Sequence, residues 1–218
     1  VLIVSGYDSL TGAQAGQRHR DLLLFFASIL SFHGIGLVLV NVFLRLHQIS
    51  WADAFGFKQP RFGRAMFLAV VMALIMLPIA LSLAQLSAKV LQQFQVPVEA
   101  QQAVRIMQQA PSYVDLALHG VAAILLAPFV EELVFRGILY PAVKQHGSRT
   151  MALWGTSIFF ALTHGNLMIL LPLTVLAIIL TFLYETTNNL LAPIVTHSLF
   201  NAANFGYLVW QRINQDAP

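Results

Sequence analysis

Apolar residues run along the chain in long stretches separated by short polar breaks. Neither the alternation of a half-buried strand nor the one-sided stripe of a surface helix describes them. Each stretch approaches or exceeds the roughly 20 residues that a helix needs to cross a bilayer's hydrocarbon core. The pattern predicts an all-α, polytopic transmembrane helix bundle of about six membrane helices around an intramembrane polar cavity. The expected spans are Asp21 to Leu46, Gly63 to Phe94, Asp115 to Lys144, Thr150 to His164, Leu167 to Glu185 and Leu190 to Gln211. Pro128 should break the third. Polar pairs at His146-Gly147, Gly165-Asn166 and Asn188-Asn189 read as turns. From Ile49 to Arg64, Trp51, Phe55 and Phe57 mix with Lys58, Arg61 and Arg64, which suits the membrane interface. The glutamine-rich stretch from Gln95 to Pro111 is expected to be a solvent loop or a surface helix. With no internal repeat or soluble segment in view, one membrane domain is expected over 1–218, its chemistry concentrated at about 115–211.

Composition sharpens this picture. Only 10% of the 218 residues are charged and 58% are hydrophobic, against about 25% charged in a soluble domain. The net charge of +3 is not a nucleic-acid signal, because the 12 Lys and Arg residues are spread over segment edges. That placement reads as topology and lipid-headgroup contact. Arg45, Lys58, Arg61, Arg64, Lys144 and Arg149 fall on one side; Arg18, Arg20, Lys89, Arg105 and Arg212 fall on the other. The slight excess puts the first group in the cytoplasm. The stretch to Arg20 is polar, so no cleavable signal peptide is expected there. Cysteine is absent, which removes disulfides, thiolate catalysis and Cys-ligated metals.

Ionisable groups at membrane depth are costly, and they mark candidate sites. Glu131 and Glu132 lie near the middle of the third stretch, and Arg136 follows Glu132 by one helical turn. Neighbouring helix positions point about 100° apart, so Glu132 is expected to pair with Arg136 as structural support while Glu131 is left free. The bland alternative has both acids tying helices together through Arg136. At about 1.5 Å per residue, Glu131 and His164 each sit about 21 Å in from the same side, His197 about 10 Å and Asn201 about 16 Å. His197 and Asn201, at i and i+4, share a helix face. His33 and His119 read as packing residues, His47 and His146 as hydrated helix edges, and Glu185 as a solvated helix end. The pairs Phe25-Phe26 and Phe159-Phe160 read as lipid-facing or packing.

Such a constellation suits hydrolysis, which needs a base on water and donors at the forming oxyanion. Glu131 can serve as the base, with His164 holding the same water and His197 and Asn201 donating to the oxyanion. A second version uses Glu131, His164 and His197 as ligands of Zn²⁺, with water in the open position. The HExxH pair that commonly unites two ligands and a base is missing. Metal-free chemistry is therefore preferred, no cofactor is assigned, and zinc stays the alternative.

Three motifs occur in order on successive apolar segments. They are EExxxR at Glu131-Glu132-Leu133-Val134-Phe135-Arg136, FxxxH at Phe160-Ala161-Leu162-Thr163-His164, and HxxxN at His197-Ser198-Leu199-Phe200-Asn201. Here, over about Leu116 to Asn204, the chain resembles the CPBP or Abi group of intramembrane proteases, which includes the Rce1-type CAAX prenyl endopeptidases. The resemblance implies a membrane-embedded, all-helical endopeptidase with Glu131 and His164 activating water and His197 and Asn201 stabilising the oxyanion. It also implies a peptide or protein substrate, lipidated in some members, and a multi-pass location in the plasma or inner membrane of a bacterium. Both metal-dependent and glutamate-type chemistry are argued for that group, and some members have eight spans. Two rivals compete with this expectation. One is an ion- or proton-coupled transporter, which also places Glu, His and Arg at depth; the other is a non-proteolytic scaffold or bacteriocin-immunity factor.

Overall fold

The computed structural model describes residue 27 and residues 30–58 and 61–216. The chain divides into two compact units, Val1–Gln48 and Ile49–Pro218. In the first unit a π-helical turn, Leu30–Gly34, leads into α1, Ile35–Leu46. The start of the expected first span, with Arg18, Arg20 and the Phe25-Phe26 pair, lies outside the described residues.

Among the described residues of the second unit the regular elements are all helices: α2 (Trp51–Ala54), α3 (Phe62–Gln93), α4 (Gln102–Gln108), α5 (Tyr113–His146), α6 (Arg149–Leu162), α7 (Leu167–Thr187) and α8 (Leu191–Asp216). Three of these, α3, α5 and α7, are long and apolar enough to cross a membrane. Two further expected spans appear as the 14-residue α6 and the 26-residue α8, whose last turns are polar. Within the glutamine-rich stretch, Gln102–Gln108 is the expected surface helix, flanked by loop.

Small residues set how closely these helices approach. α3 is apolar on every side, yet Ala65, Ala69, Ala73, Met76 and Ala80 alone are buried, one stripe at helical spacing. Large side chains such as Phe67, Leu74 and Leu81 stay exposed, as a lipid-facing surface requires. The stripe lets α8 come close enough for the Thr196 hydroxyl to donate to the Ala69 carbonyl at 3.0 Å. Met76 and Ala80 pack with Leu176 and Leu180 of α7 and Phe200 of α8. Phe205 of α8 lies against Gly120 of α5, where a methyl group would come within 2.4 Å of its ring.

α5 corrects the expectation of a break at Pro128. The helix continues for 34 residues, and two π-helical turns, Ala122–Leu126 and Leu133–Leu139, fall just ahead of Pro128 and Pro141. A proline has no N–H and its ring crowds the carbonyl one turn earlier. Widening the turn by one residue relieves that crowding without ending the helix.

The connector docks at the far end of the unit. Ser50 caps α2 by accepting from the Asp53 N–H, and the Ser50 hydroxyl and Lys58 hold the Asp53 carboxyl below its usual range. The Leu190 N–H donates to the Phe55 carbonyl at 3.0 Å. Phe55 in turn lies over Gly137 of α5, where a side chain would come within 2.7 Å of its ring. Gly56, at φ +72°, faces the Asn188 carbonyl, and a Cβ there would stand 2.1 Å from that oxygen. Gly56→Ala is therefore expected to cost about 1–3 kcal/mol from left-handed strain plus a clash with backbone. A thermal unfolding midpoint in detergent equal to wild type would remove this docking contact from the account.

Candidate active site

Three helices converge on one buried ring. Phe160 of α6 is fully buried, with Phe135 edge-on at 5.0 Å, the His164 ring at 4.9 Å, the His197 ring at 5.8 Å and the Arg136 guanidinium at 4.9 Å. The Phe159-Phe160 pair thus divides: Phe159 is exposed, whereas Phe160 joins the polar groups of α5, α6 and α8. Phe160 and His164 sit at i and i+4, and that shared helix face was the signal in the sequence.

Around this ring the polar side chains are ordered by direct bonds. Arg136 donates through Nη1 to Glu132 Oε1 at 2.7 Å and through Nη2 to the Ala177 carbonyl of α7 at 2.9 Å. Its Nε reaches Thr181 Oγ1 at 3.4 Å. Both members of the ion pair are shut off from solvent, Glu132 at 0% and Arg136 at 2% exposure. The same Glu132 oxygen lies 2.9 Å from His197 Nδ1. On the other side of that imidazole, Nε2 lies 3.8 Å from Glu131 Oε2, and Glu131 is 22% exposed. Adjacent positions on one helix therefore give one carboxylate locked into the interior and one at its edge, with His197 between them.

His164 is half-buried, and its Nδ1 lies 2.9 Å from the Phe160 carbonyl. A carbonyl only accepts, so Nδ1 carries the hydrogen and Nε2 of the neutral ring is left as an acceptor. Asn201 is tied elsewhere. Its Nδ2 donates to the Ala123 carbonyl at 2.8 Å, inside the first π turn. In that turn the Ala127 N–H bonds the Ala122 carbonyl five residues back. The next partner in the series would be residue 128, a proline with no N–H, so Asn201 supplies the donor that Ala123 would otherwise lack. One amide hydrogen remains.

The structure thus joins Glu131, Glu132, Arg136 and His197 through direct contacts and brings His164 to them through Phe160. It holds Asn201 one turn beyond His197, bonded to α5. A cavity of about 320 Å³ lies at the α5–α6 turn, lined by Ala142, Val143, His146, Gly147 and Met151. Among the described residues no three His, Asp or Glu side chains converge closely enough to hold a metal ion. Glu131, His164 and His197 do not fit a three-ligand zinc site in this arrangement.

Glu185 departs from its expected role. Rather than ending α7 in solvent, it accepts from the Tyr140 hydroxyl at 2.6 Å, Lys144 Nζ at 2.6 Å and Arg149 Nε at 2.8 Å. The ends of α5 and α7 and the start of α6 are pinned together there. Two cations flanking the turn between α5 and α6 were its trace in the sequence.

The segment carrying this cluster matches the family of type II CAAX prenyl endopeptidase Rce1-like proteins over residues 113–203. The match runs from the start of α5 to two residues past Asn201 and takes in all three motifs. Among individual proteins, the Uncharacterized protein YpbD of Bacillus subtilis is 26% identical over 102 residues, 45% of this chain and 50% of that protein. The "Putative membrane peptidase YdiL" of the same organism is 30% identical over 77 residues, 35% of this chain and 32% of its own length. The UPF0177 protein YxdF of Lactococcus lactis is 32% identical over 78 residues, 35% of this chain and 42% of its own. The chain thus spans about a third to a half of the length of these relatives. No solved structure matches the chain.

Proposed function

We propose that this Rce1-like chain is an intramembrane endopeptidase that cleaves membrane-associated or C-terminal peptides, lipidated ones included, with Glu131 as the base. The observation that carries the reading is the partly exposed Glu131 carboxylate set 3.8 Å from His197 Nε2, beside a sealed Glu132–Arg136 pair. A water touching Glu131 gives it a proton and forms a C–O bond to the scissile carbonyl carbon, whose π electrons move onto oxygen. On collapse the carbonyl re-forms, the C–N bond breaks, and the proton on Glu131 passes to the leaving nitrogen. His164 Nε2 accepts the water's second hydrogen, which fixes its lone pair on the carbon. The remaining hydrogen of Asn201, and His197 when its ring is doubly protonated, serve the oxyanion. Membrane lipid surrounds the protein, and the bacterial relatives support a bacterial plasma membrane.

Purified protein in detergent, offered a quenched peptide library with and without farnesylated C-terminal cysteine peptides, is expected to give turnover. No cleavage of any member would contradict the proposal. Extended treatment with a zinc chelator is expected to leave turnover unchanged. Loss of activity restored by added zinc, with one zinc bound per chain, would replace the metal-free route.

A further inference from the structure

The bond between Glu132 and His197 has a consequence for which hydrogen the ring carries. Glu132 Oε1 already accepts from Arg136 at 2.7 Å, so the carboxylate is ionised and can only accept. His197 Nδ1, 2.9 Å from that same oxygen, must therefore be the donor. In the neutral ring this leaves Nε2 without hydrogen, and Nε2 is the atom that faces Glu131.

We propose that Glu132 is a positioning residue that locks His197 in the Nδ1–H tautomer and so presents Nε2 as an acceptor toward Glu131. The hydrogen-bond chain runs from the Ala177 carbonyl and Thr181 hydroxyl on α7, through Arg136 and Glu132 on α5, to His197 on α8. Each link fixes the next: α7 orients the guanidinium, the guanidinium orients the carboxylate, and the carboxylate orients the imidazole. His197 consequently donates to an oxyanion only as the doubly protonated ring, whose charge then lies between two carboxylates. In the neutral state it receives a hydrogen, from water or from protonated Glu131. This reverses the direction of the His197 bond assumed for a simple oxyanion donor. It also gives Glu132 a part beyond pairing with Arg136. The effect on turnover rests on the proposed roles of Glu131 and His197; the tautomer does not.

The test is nitrogen NMR of the full chain labelled with ¹⁵N-histidine in lipid nanodiscs, with the His197 signals identified by their loss in His197→Asn. Wild type is expected to show a protonated, pyrrole-type Nδ1 and, in the neutral ring, a pyridine-type Nε2. A neutral ring with hydrogen on Nε2 overturns the proposal, whatever the chain cleaves. Glu132→Leu with Arg136→Leu removes both buried charges together, an exchange that is often near neutral for stability. In that variant the preference for Nδ1–H is expected to vanish and kcat to fall at least about 10-fold with KM little changed. Glu132→Gln keeps an acceptor and is expected to retain the tautomer and part of the rate. A folded double variant with the wild-type tautomer, or with wild-type kcat, overturns the proposal. Turnover unaffected by Glu131→Gln, with the wild-type tautomer as expected, would instead remove the catalytic reading and leave Glu132 as the clamp on His197.

Discussion

Glu131→Gln is expected to lower peptide turnover by at least about 10²-fold while leaving the unfolding midpoint of the protein unchanged. The substitution removes the proton acceptor and keeps the shape of the side chain, and general-base catalysis is typically worth 10²–10⁴-fold. Stability should not follow, because Glu131 is 22% exposed and approaches His197 no closer than a long 3.8 Å. Glu132, one residue away and fully buried in two bonds, should differ by affecting stability as well as turnover. Side-by-side turnover and thermal melts of the Glu131→Gln variant separate the two effects. Wild-type turnover in that variant would take the carboxylate out of the mechanism.

Arg136→Ala is expected to cost about 3–5 kcal/mol, the usual penalty for breaking a buried ion pair and stranding its partner. Here the stranded group is Glu132, at 0% exposure and with its second oxygen, Oε2, already lacking a hydrogen-bond partner. The substitution also strips the donors from the Ala177 carbonyl and Thr181 hydroxyl and the cation from the face of Phe160. The variant should melt well below wild type in detergent, and an unchanged midpoint would mean that the pair is not sealed from water. Comparing Arg136→Ala with the Glu132→Leu/Arg136→Leu pair would show how much of that loss is the uncompensated charge.

The fold was legible wherever hydropathy alone decides it. The expected ends of the second, fourth, fifth and sixth spans fall close to those of α3, α6, α7 and α8, because polar and glycine-bearing turns interrupt strongly apolar runs. Pro128 misled because the rule for proline in a helix interior assumes α geometry. The π turn ahead of it and the amide of Asn201 absorb both costs, and neither is visible in one segment read by itself. At the site, the spacing of Glu132 and Arg136 made the ion pair readable, since one turn of helix is local geometry. That Glu132 also holds His197 was not readable, because 65 residues separate them and only the packing of α8 on α5 joins them. Glu185 was misread for the same reason: its partners lie 36 to 45 residues away on other helices.

The most direct test of the central claim, that a Glu131-dependent site cuts peptides within the membrane, is a comparison of new protein termini in membranes from bacterial cells expressing wild type or Glu131→Gln at equal levels. Wild type is predicted to produce a discrete set of termini that the variant lacks, arising in or beside membrane-associated segments. Identical sets of termini from the two proteins would contradict the account.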